Sequence, residues 1–152
     1  MSNPPKSRVL PPVYFGGAIL GMVALHYLTP GPQWPGPILQ FPGGCLLLVG
    51  IVLNLASARL FEQHQTAIKP FERSESLVVK GSYRFSRNPM YLGMVLILLG
   101  IGLLFGSTIP LLIIPVFVWL ISVRFIAVEE GMLTDRFGAT YEDYCKRVRR
   151  WL

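Results

Sequence analysis

The chain has 152 residues, of which 52% are hydrophobic and only 14% are charged, and its formal net charge is +6. Soluble domains carry about 25% charged residues, and so short a chain could not bury this much apolar surface by itself. The composition therefore excludes an ordinary soluble domain and favours an integral membrane protein. The positive charge does not indicate nucleic acid, because the cations are segregated along the chain as they are at a membrane surface.

Four apolar segments are predicted at residues 9–29, 38–60, 90–105 and 108–128. A helix needs about 20 apolar residues to cross the hydrocarbon core, and the third segment is somewhat short. We expect this segment to form a tight hairpin with the fourth. The first segment could also be a signal peptide, but no small-residue cleavage site follows it, so we expect it to be retained. The chain, 1–152, is thus predicted to be a single all-α membrane domain with four transmembrane helices.

The positions of the cations predict the orientation of these helices. Every lysine and arginine precedes the first segment, lies between the second and third, or lies near or beyond the ends of the second and fourth. The loops 30–37 and 106–108 carry no lysine or arginine. By the positive-inside rule, both termini, the loop 61–89 and the tail 129–152 are cytoplasmic, and the lipid bilayer is expected to be a cell inner membrane.

The tail and the loop each carry a local pattern. In the tail, Leu133, Phe137 and Tyr141 recur at a spacing of four residues, which predicts a helix, and Gly138 interrupts it and predicts a bend. We expect the tail to lie on the membrane face or to fold back over the loop. In the loop, the apolar residues 77–79 predict a brief extended segment before the turn at Gly81.

The loop ends in Asn88-Pro89 at the start of the third apolar segment. Pro89 suits the first turn of a helix, and Asn88 is a natural N-cap. Arg84 and Arg87 precede this helix start. The pattern is typical of a capped membrane helix with snorkelling arginines, and equally of a site that binds a carboxylate or phosphate at a helix N-terminus.

Glu129 and Glu130 follow the fourth apolar segment directly. Carboxylates at a membrane boundary are costly unless they are paired or solvated. They could form a salt bridge with Arg124, or they could bind an ammonium group or ribose hydroxyls. Gly100 and Gly102 suit either close helix packing or ligand contact. No histidine or cysteine cluster has the spacing of a metal site, so no metal is expected.

These residues resemble a known superfamily. Tyr83-Arg84-x-x-Arg87-Asn88-Pro89-x-Tyr91-x-Gly93 is similar to the Arg-His-Pro-x-Tyr signature of the isoprenylcysteine carboxyl methyltransferases and phospholipid methyltransferases. The stretch from Glu129-Glu130 to Arg147-Val148 resembles the C-terminal block of that superfamily. Gly100-x-Gly102 with the acidic pair resembles the paired motifs of the phosphatidylethanolamine methyltransferases. Asn88 stands where the family often has His. An amide does not titrate near neutrality, so a cofactor-binding role survives and a proton-transfer role does not.

The resemblance implies a methyltransferase that uses S-adenosylmethionine, in a pocket formed by the cytoplasmic loop and the C-terminal helix. The methyl acceptor would be a lipophilic carboxylate, thiol or amine, or a prenylated molecule, and Arg124 would face it as the catalytic residue. The alternatives are an NADPH-dependent membrane reductase of the sterol-reductase type and a non-enzymatic four-helix membrane protein. The residues indicate no nucleic-acid partner and no particular oligomeric state. The implied cofactor-binding residues are Glu75, Ser76, Leu77, Val78, Tyr83, Arg87, Asn88, Pro89, Met90, Tyr91, Gly100, Gly102, Glu129 and Glu130.

Overall fold

The structure, a computed structural model, describes residues 10–29, 31–34, 37–63 and 77–152. The chain in these ranges is helical, apart from loops and one isolated antiparallel bridge between Gln33 and Ser107. A π-helical turn, Ser122–Ile126, joins the fourth helix to the fifth, and 3₁₀ turns lie at Pro37–Leu39, Gly81–Arg84 and Ile109–Leu112. The helices are α1 (Pro11–Leu28), α2 (Gln40–Gln63), α3 (Pro89–Phe105), α4 (Ile113–Ile121), α5 (Ala127–Phe137) and α6 (Ala139–Arg147).

Among the described residues, three helical runs are long and apolar enough to cross a membrane, namely Pro11–Leu28, Pro37–Leu60 and Ile109–Phe137. They correspond to three of the four predicted segments. The remaining segment, α3, has 17 residues and extends about 25 Å at ~1.5 Å per residue, short of a core of about 30 Å. The run Ile109–Phe137 has 29 residues and extends about 43 Å, so it exceeds the same core by about two turns.

Helices α2 and α3 pack backbone against backbone through glycines. A Cβ atom at Gly50 would lie 2.6 Å from the carbonyl oxygen of Gly93 and 2.9 Å from the backbone nitrogen of Ile97. A Cβ atom at Gly100 would lie 2.7 Å from the carbonyl oxygen of Gly43. Such close approach is a common way for helices to associate in membranes, where van der Waals packing replaces the hydrophobic effect. The glycines therefore set the position of α3, which begins at the site described below.

The two cation-free loops meet at one end of the bundle. Besides the bridge between Gln33 and Ser107, the backbone N–H of Trp34 donates to the carbonyl of Gly106 at 2.9 Å. Gly106 ends α3 in the left-handed conformation, with φ 65°, and this turn allows the predicted hairpin with the next helical run. These contacts place the described residues of the two loops at the same end of the bundle.

The tail folds back over residues 83–88, which end the basic loop 61–89, at the other end of the bundle. Gly138, with φ 49°, separates α5 from α6, so the predicted bend is confirmed. The buried side chain of Tyr144 on α6 donates from Oη to the carbonyl of Tyr83 at 2.6 Å. Of the two predicted locations for the tail, the structure supports the one over the loop.

Candidate functional site

The site is built around a contact between α3 and α5. Tyr91 lies in the first turn of α3, and Glu129 lies in the first turn of α5. The Tyr91 Oη donates to Glu129 Oε1 at 2.8 Å. Phe125 and Ile126, in the π-helical turn just before α5, are fully buried in the same core cluster as Tyr91. The contact brings together the two motif blocks that the sequence singled out.

Glu130 lies between two arginines. Arg87 Nη2 is 3.2 Å from Glu130 Oε1, and the two side chains are only 16% and 15% exposed. Arg150 donates from Nε to Glu130 Oε1 at 3.2 Å, and its Nη2 contacts Oε2. These hydrogen bonds to Glu130 raise the pKa of the Arg150 guanidinium. The ion-pair partners of Glu130 are thus Arg87 and Arg150, whereas the predicted partner Arg124 has an exposed side chain in the π-helical turn.

Asn88 occupies the N-cap position of α3, but its side chain makes no capping hydrogen bond, so the predicted capping role is wrong. Its Nδ2 donates instead to the carbonyl of Arg150 at 3.0 Å. Its backbone N–H donates to Ser86 Oγ at 3.1 Å. The amide is nearly buried and one of its two N–H donors is committed to the chain, so Asn88 can offer its second N–H and its side-chain oxygen to a ligand.

Tyrosine hydroxyls surround the two carboxylates. Burial, together with the nearby charge of Glu129, raises the pKa of the Tyr83 hydroxyl far above its ordinary value. Burial likewise raises the pKa of Tyr144 to about 12. Both hydroxyls therefore stay protonated at neutral pH and act as neutral polar groups rather than as bases.

The predicted cofactor-binding residues fall into three groups. Within the parts of the chain that the structure describes, Tyr91 and Arg87 contact the acidic pair, Tyr83 lies near Glu129, and Asn88 and Pro89 are buried at the start of the same helix. Val78 is buried and Leu77 half-buried just before the Gly81 turn, and Met90 is half-buried next to Tyr91 in the chain. Glu75 and Ser76 lie outside the described ranges.

Gly100 and Gly102 form the third group, deeper in the bundle. Gly100 lies nine residues from Tyr91, about 13 Å along the helix, and its face is covered by α2. Gly102 is covered by the side chains of Leu111 and Met22. These contacts support the packing interpretation of the two glycines and do not join them to the ionic cluster.

The site also contains residues that sequence reasoning missed. Arg150 supplies both a guanidinium and a carbonyl, and Ser86 Oγ accepts from the Asn88 backbone and also lies 3.4 Å from the Arg150 carbonyl. Arg150 follows a helical stripe in a basic segment, and no spacing pattern indicates that this segment returns to Asn88. The one signal was the amphipathic tail itself, whose apolar face needed a partner.

An apolar groove of about 460 Å³ lies between α1 and α4. No residue that lines it carries a charge, so it offers nothing to bind an ionic group. The ionic contacts of the candidate site lie instead in the cluster around Glu129 and Glu130. The lining residues are Val13, Tyr14, Gly17, Ala18, Ile113, Val116, Phe117 and Leu120.

A family model and several known proteins are similar to the part of the chain that contains this site. The model of the phospholipid methyltransferase family matches residues 39–140. The protein-S-isoprenylcysteine O-methyltransferase of Schizosaccharomyces pombe is 35% identical over 72 residues, which cover 47% of this chain and 30% of that protein. Arabidopsis thaliana has two similar proteins, protein-S-isoprenylcysteine O-methyltransferases A and B. Protein A is 28% identical over 97% of this chain and 77% of its own length, and protein B is 31% identical over 86% and 67%.

The family match runs from the start of α2 into α6 and includes both Tyr91 and Glu129. The chain spans 30% of the fission yeast protein and a larger share of the two plant proteins. The names of the family and of these relatives are those of methyltransferases, so the prediction of a methyltransferase is confirmed at the level of the family. These names favour a methyltransferase over the two alternatives, a membrane reductase and a non-enzymatic membrane protein. The chain belongs to the phospholipid methyltransferase family.

Proposed function

We propose that the chain is an S-adenosylmethionine-dependent methyltransferase that acts at a membrane on a lipophilic carboxylate, thiol or amine. The observation that carries the proposal is the junction of the two motif blocks, with Tyr91 bonded to Glu129 at 2.8 Å and Arg87 paired with Glu130 at 3.2 Å. This end of the apolar bundle holds neighbouring carboxylates, a guanidinium and an amide. These groups suit a ligand that carries both a positive and a negative charge. The isoprenylcysteine in the names of the relatives supports a lipophilic acceptor.

The residues of the site fit the polar groups of S-adenosylmethionine. The carboxylate of Glu129 and the amide oxygen of Asn88 are acceptors for an ammonium group or ribose hydroxyls. Arg87 Nε is buried without a hydrogen-bond partner among the described residues, which makes it a donor suited to a carboxylate. When bound, the cofactor supplies a sulfonium methyl group, which the lone pair of the acceptor takes up as the carbon–sulfur bond breaks and its electron pair stays on sulfur.

The contribution of the chain to this reaction is alignment and exclusion of water. A carboxylate or thiolate acceptor needs no base, and for an amine acceptor neither Asn88 nor the buried tyrosines can take up a proton. Holding two reactants in line by itself raises the rate of a reaction greatly. In this proposal Arg124, exposed at the cytoplasmic end of the fourth span, faces the acceptor.

The proposal includes four spans, with both termini, the basic loop and the tail on the cytoplasmic side of a cell inner membrane. The distribution of lysine and arginine supports this orientation. The ionic cluster at one end of the bundle and the contact between the cation-free loops at the other end support it too. A charged cofactor would then enter from the cytoplasm and the lipophilic acceptor from the bilayer.

Cysteine labelling tests this orientation. In a Cys45→Ser, Cys145→Ser background, we expect Gln33→Cys to react with a membrane-impermeant maleimide on intact cells, because Gln33 is exposed in a cation-free loop. We expect Glu142→Cys, exposed on α6, to react only after the cells are permeabilised. The opposite pattern would reverse the orientation.

A methyl-transfer screen tests the function. The purified chain in nanodiscs is incubated with methyl-labelled S-adenosylmethionine and, separately, a prenylated cysteine, an aminophospholipid and a lipophilic thiol. We expect label to enter one of these classes above the level of a Glu129→Gln variant. Binding of NADPH with no binding of S-adenosylmethionine would contradict the proposal.

A further inference from the structure

Residues 148–152, here termed the strap, run back across the basic loop after α6 ends. Val148 has extended backbone, with φ −126° and ψ 130°, so the chain leaves the helix there. The carbonyl of Arg149 accepts from the backbone N–H of Arg87 at 3.0 Å, and the carbonyl of Arg150 accepts from Asn88 Nδ2 at 3.0 Å. The strap is therefore docked by its main chain onto two residues of the proposed pocket.

The side chain of Arg150 reaches the acidic pair from the same strap. Its guanidinium contacts both carboxylate oxygens of Glu130, with Nε 3.2 Å from Oε1. A two-point contact of this kind fixes the plane of a carboxylate as well as its position. The Arg150 side chain is 45% exposed and that of Glu130 only 15%, so the guanidinium forms the outer layer over the carboxylate.

The strap is held in place independently of this ion pair. Trp151 packs against the buried core cluster next to the site. The Arg150 side chain is half-exposed, so solvent screens this ion pair and its contribution to folding stability is small. Arg150 matters more for the geometry of the site, because it restrains Glu130 through its side chain and Asn88 through its carbonyl.

We propose that Arg150 is a positioning residue, which holds Glu130 and Asn88 in the geometry that binds the cofactor. The inference rests on the proposed function, in which both residues belong to the cofactor pocket. It does not require Arg150 to touch the cofactor. Arg87 already holds Glu130 from the inner side, so loss of the outer guanidinium leaves the carboxylate paired but free to turn.

The test is the affinity of the full chain in nanodiscs for S-adenosylmethionine. We expect Arg150→Gln to weaken binding and raise KM by roughly five- to tenfold, with a smaller change in kcat and an almost unchanged Tm. Arg150→Lys should restore only part of the affinity, because an ammonium cannot span both oxygens. Lys146→Gln is the matched control, since it removes the same charge from an exposed side chain on α6 and should bind like the wild type.

A double-mutant cycle separates positioning from a direct contact. If Arg150 acts through Glu130, Arg150→Gln should have little further effect on affinity in a Glu130→Gln background. Wild-type affinity in Arg150→Gln, or fully additive losses in the double variant, would overturn the inference alone. A wild-type chain that fails to bind S-adenosylmethionine would overturn the proposed function and this inference with it.

Discussion

Glu129→Gln should lower the affinity for S-adenosylmethionine by about 10- to 100-fold, the range expected when a charge-assisted hydrogen bond is lost. The amide keeps the size of the side chain and can still accept from Tyr91 Oη, so the contact between α3 and α5 should persist. What is lost is the negative charge that the proposed pocket offers to an ammonium group. Titration calorimetry on the purified chain measures the affinity. Thermal unfolding in parallel tests whether the contact between α3 and α5 persists.

The control for this variant is Glu142→Gln, which removes a carboxylate from the exposed surface of α6. We expect its affinity to equal that of the wild type. Tyr91→Phe should give an intermediate loss of about two- to tenfold, because it removes one neutral hydroxyl and leaves the carboxylate in place. Equal binding by Glu129→Gln and the wild type would remove Glu129 from the cofactor site.

Gly50→Ala should lower the free energy of unfolding by about 1–3 kcal/mol, the range expected for an overpacked interface. The added methyl group would lie 2.6 Å from the carbonyl oxygen of Gly93 and 2.9 Å from the backbone nitrogen of Ile97. Neither atom belongs to a side chain that can rotate away, so α2 and α3 must separate. Denaturant titration in mild detergent, followed by tryptophan fluorescence or circular dichroism, measures the loss.

Gly44→Ala is the matched control on the same helix. A Cβ atom at Gly44 would meet nothing within 4 Å, so this variant should unfold within about 0.5 kcal/mol of the wild type. Gly50→Ala should also weaken cofactor binding, because α3 carries Tyr91 in its first turn. If the two alanine variants were equally stable, the close backbone packing of α2 and α3 would be refuted.

The helices were predictable because their limits follow from local chemistry. The predicted segment 90–105 differs by one residue from α3, Pro89–Phe105, since a proline starts it and a glycine in the left-handed conformation ends it. The first predicted segment, 9–29, encloses α1, Pro11–Leu28, which also begins at a proline. Three spans have the expected length and composition, whereas the count of four rests on a helix shorter than the bilayer core.

Half of the site was also predictable from the sequence, but for a reason unrelated to the limits of the helices. Glu129 and the residues around Asn88 stand out because charged and polar side chains are rare beside long apolar segments. The other half depends on tertiary contacts that have no local signature. Arg150 reaches Glu130 only because Gly138 turns α6 back, and Asn88 gives up its capping role only because a carbonyl of the strap is available.

The π-helical turn Ser122–Ile126 sets the direction in which Glu129 faces at the start of α5. Each residue of an α-helix turns the chain by about 100°, and a π-helical turn holds one residue more than an α-helical turn. If the same residues formed a regular α-helical stretch instead, Glu129 would be turned roughly 100° about the helix axis, away from Tyr91. A homologue with one residue fewer and an α-helical turn at this place would keep Glu129 facing Tyr91, so a single gap here in an alignment of the family is compatible with the site.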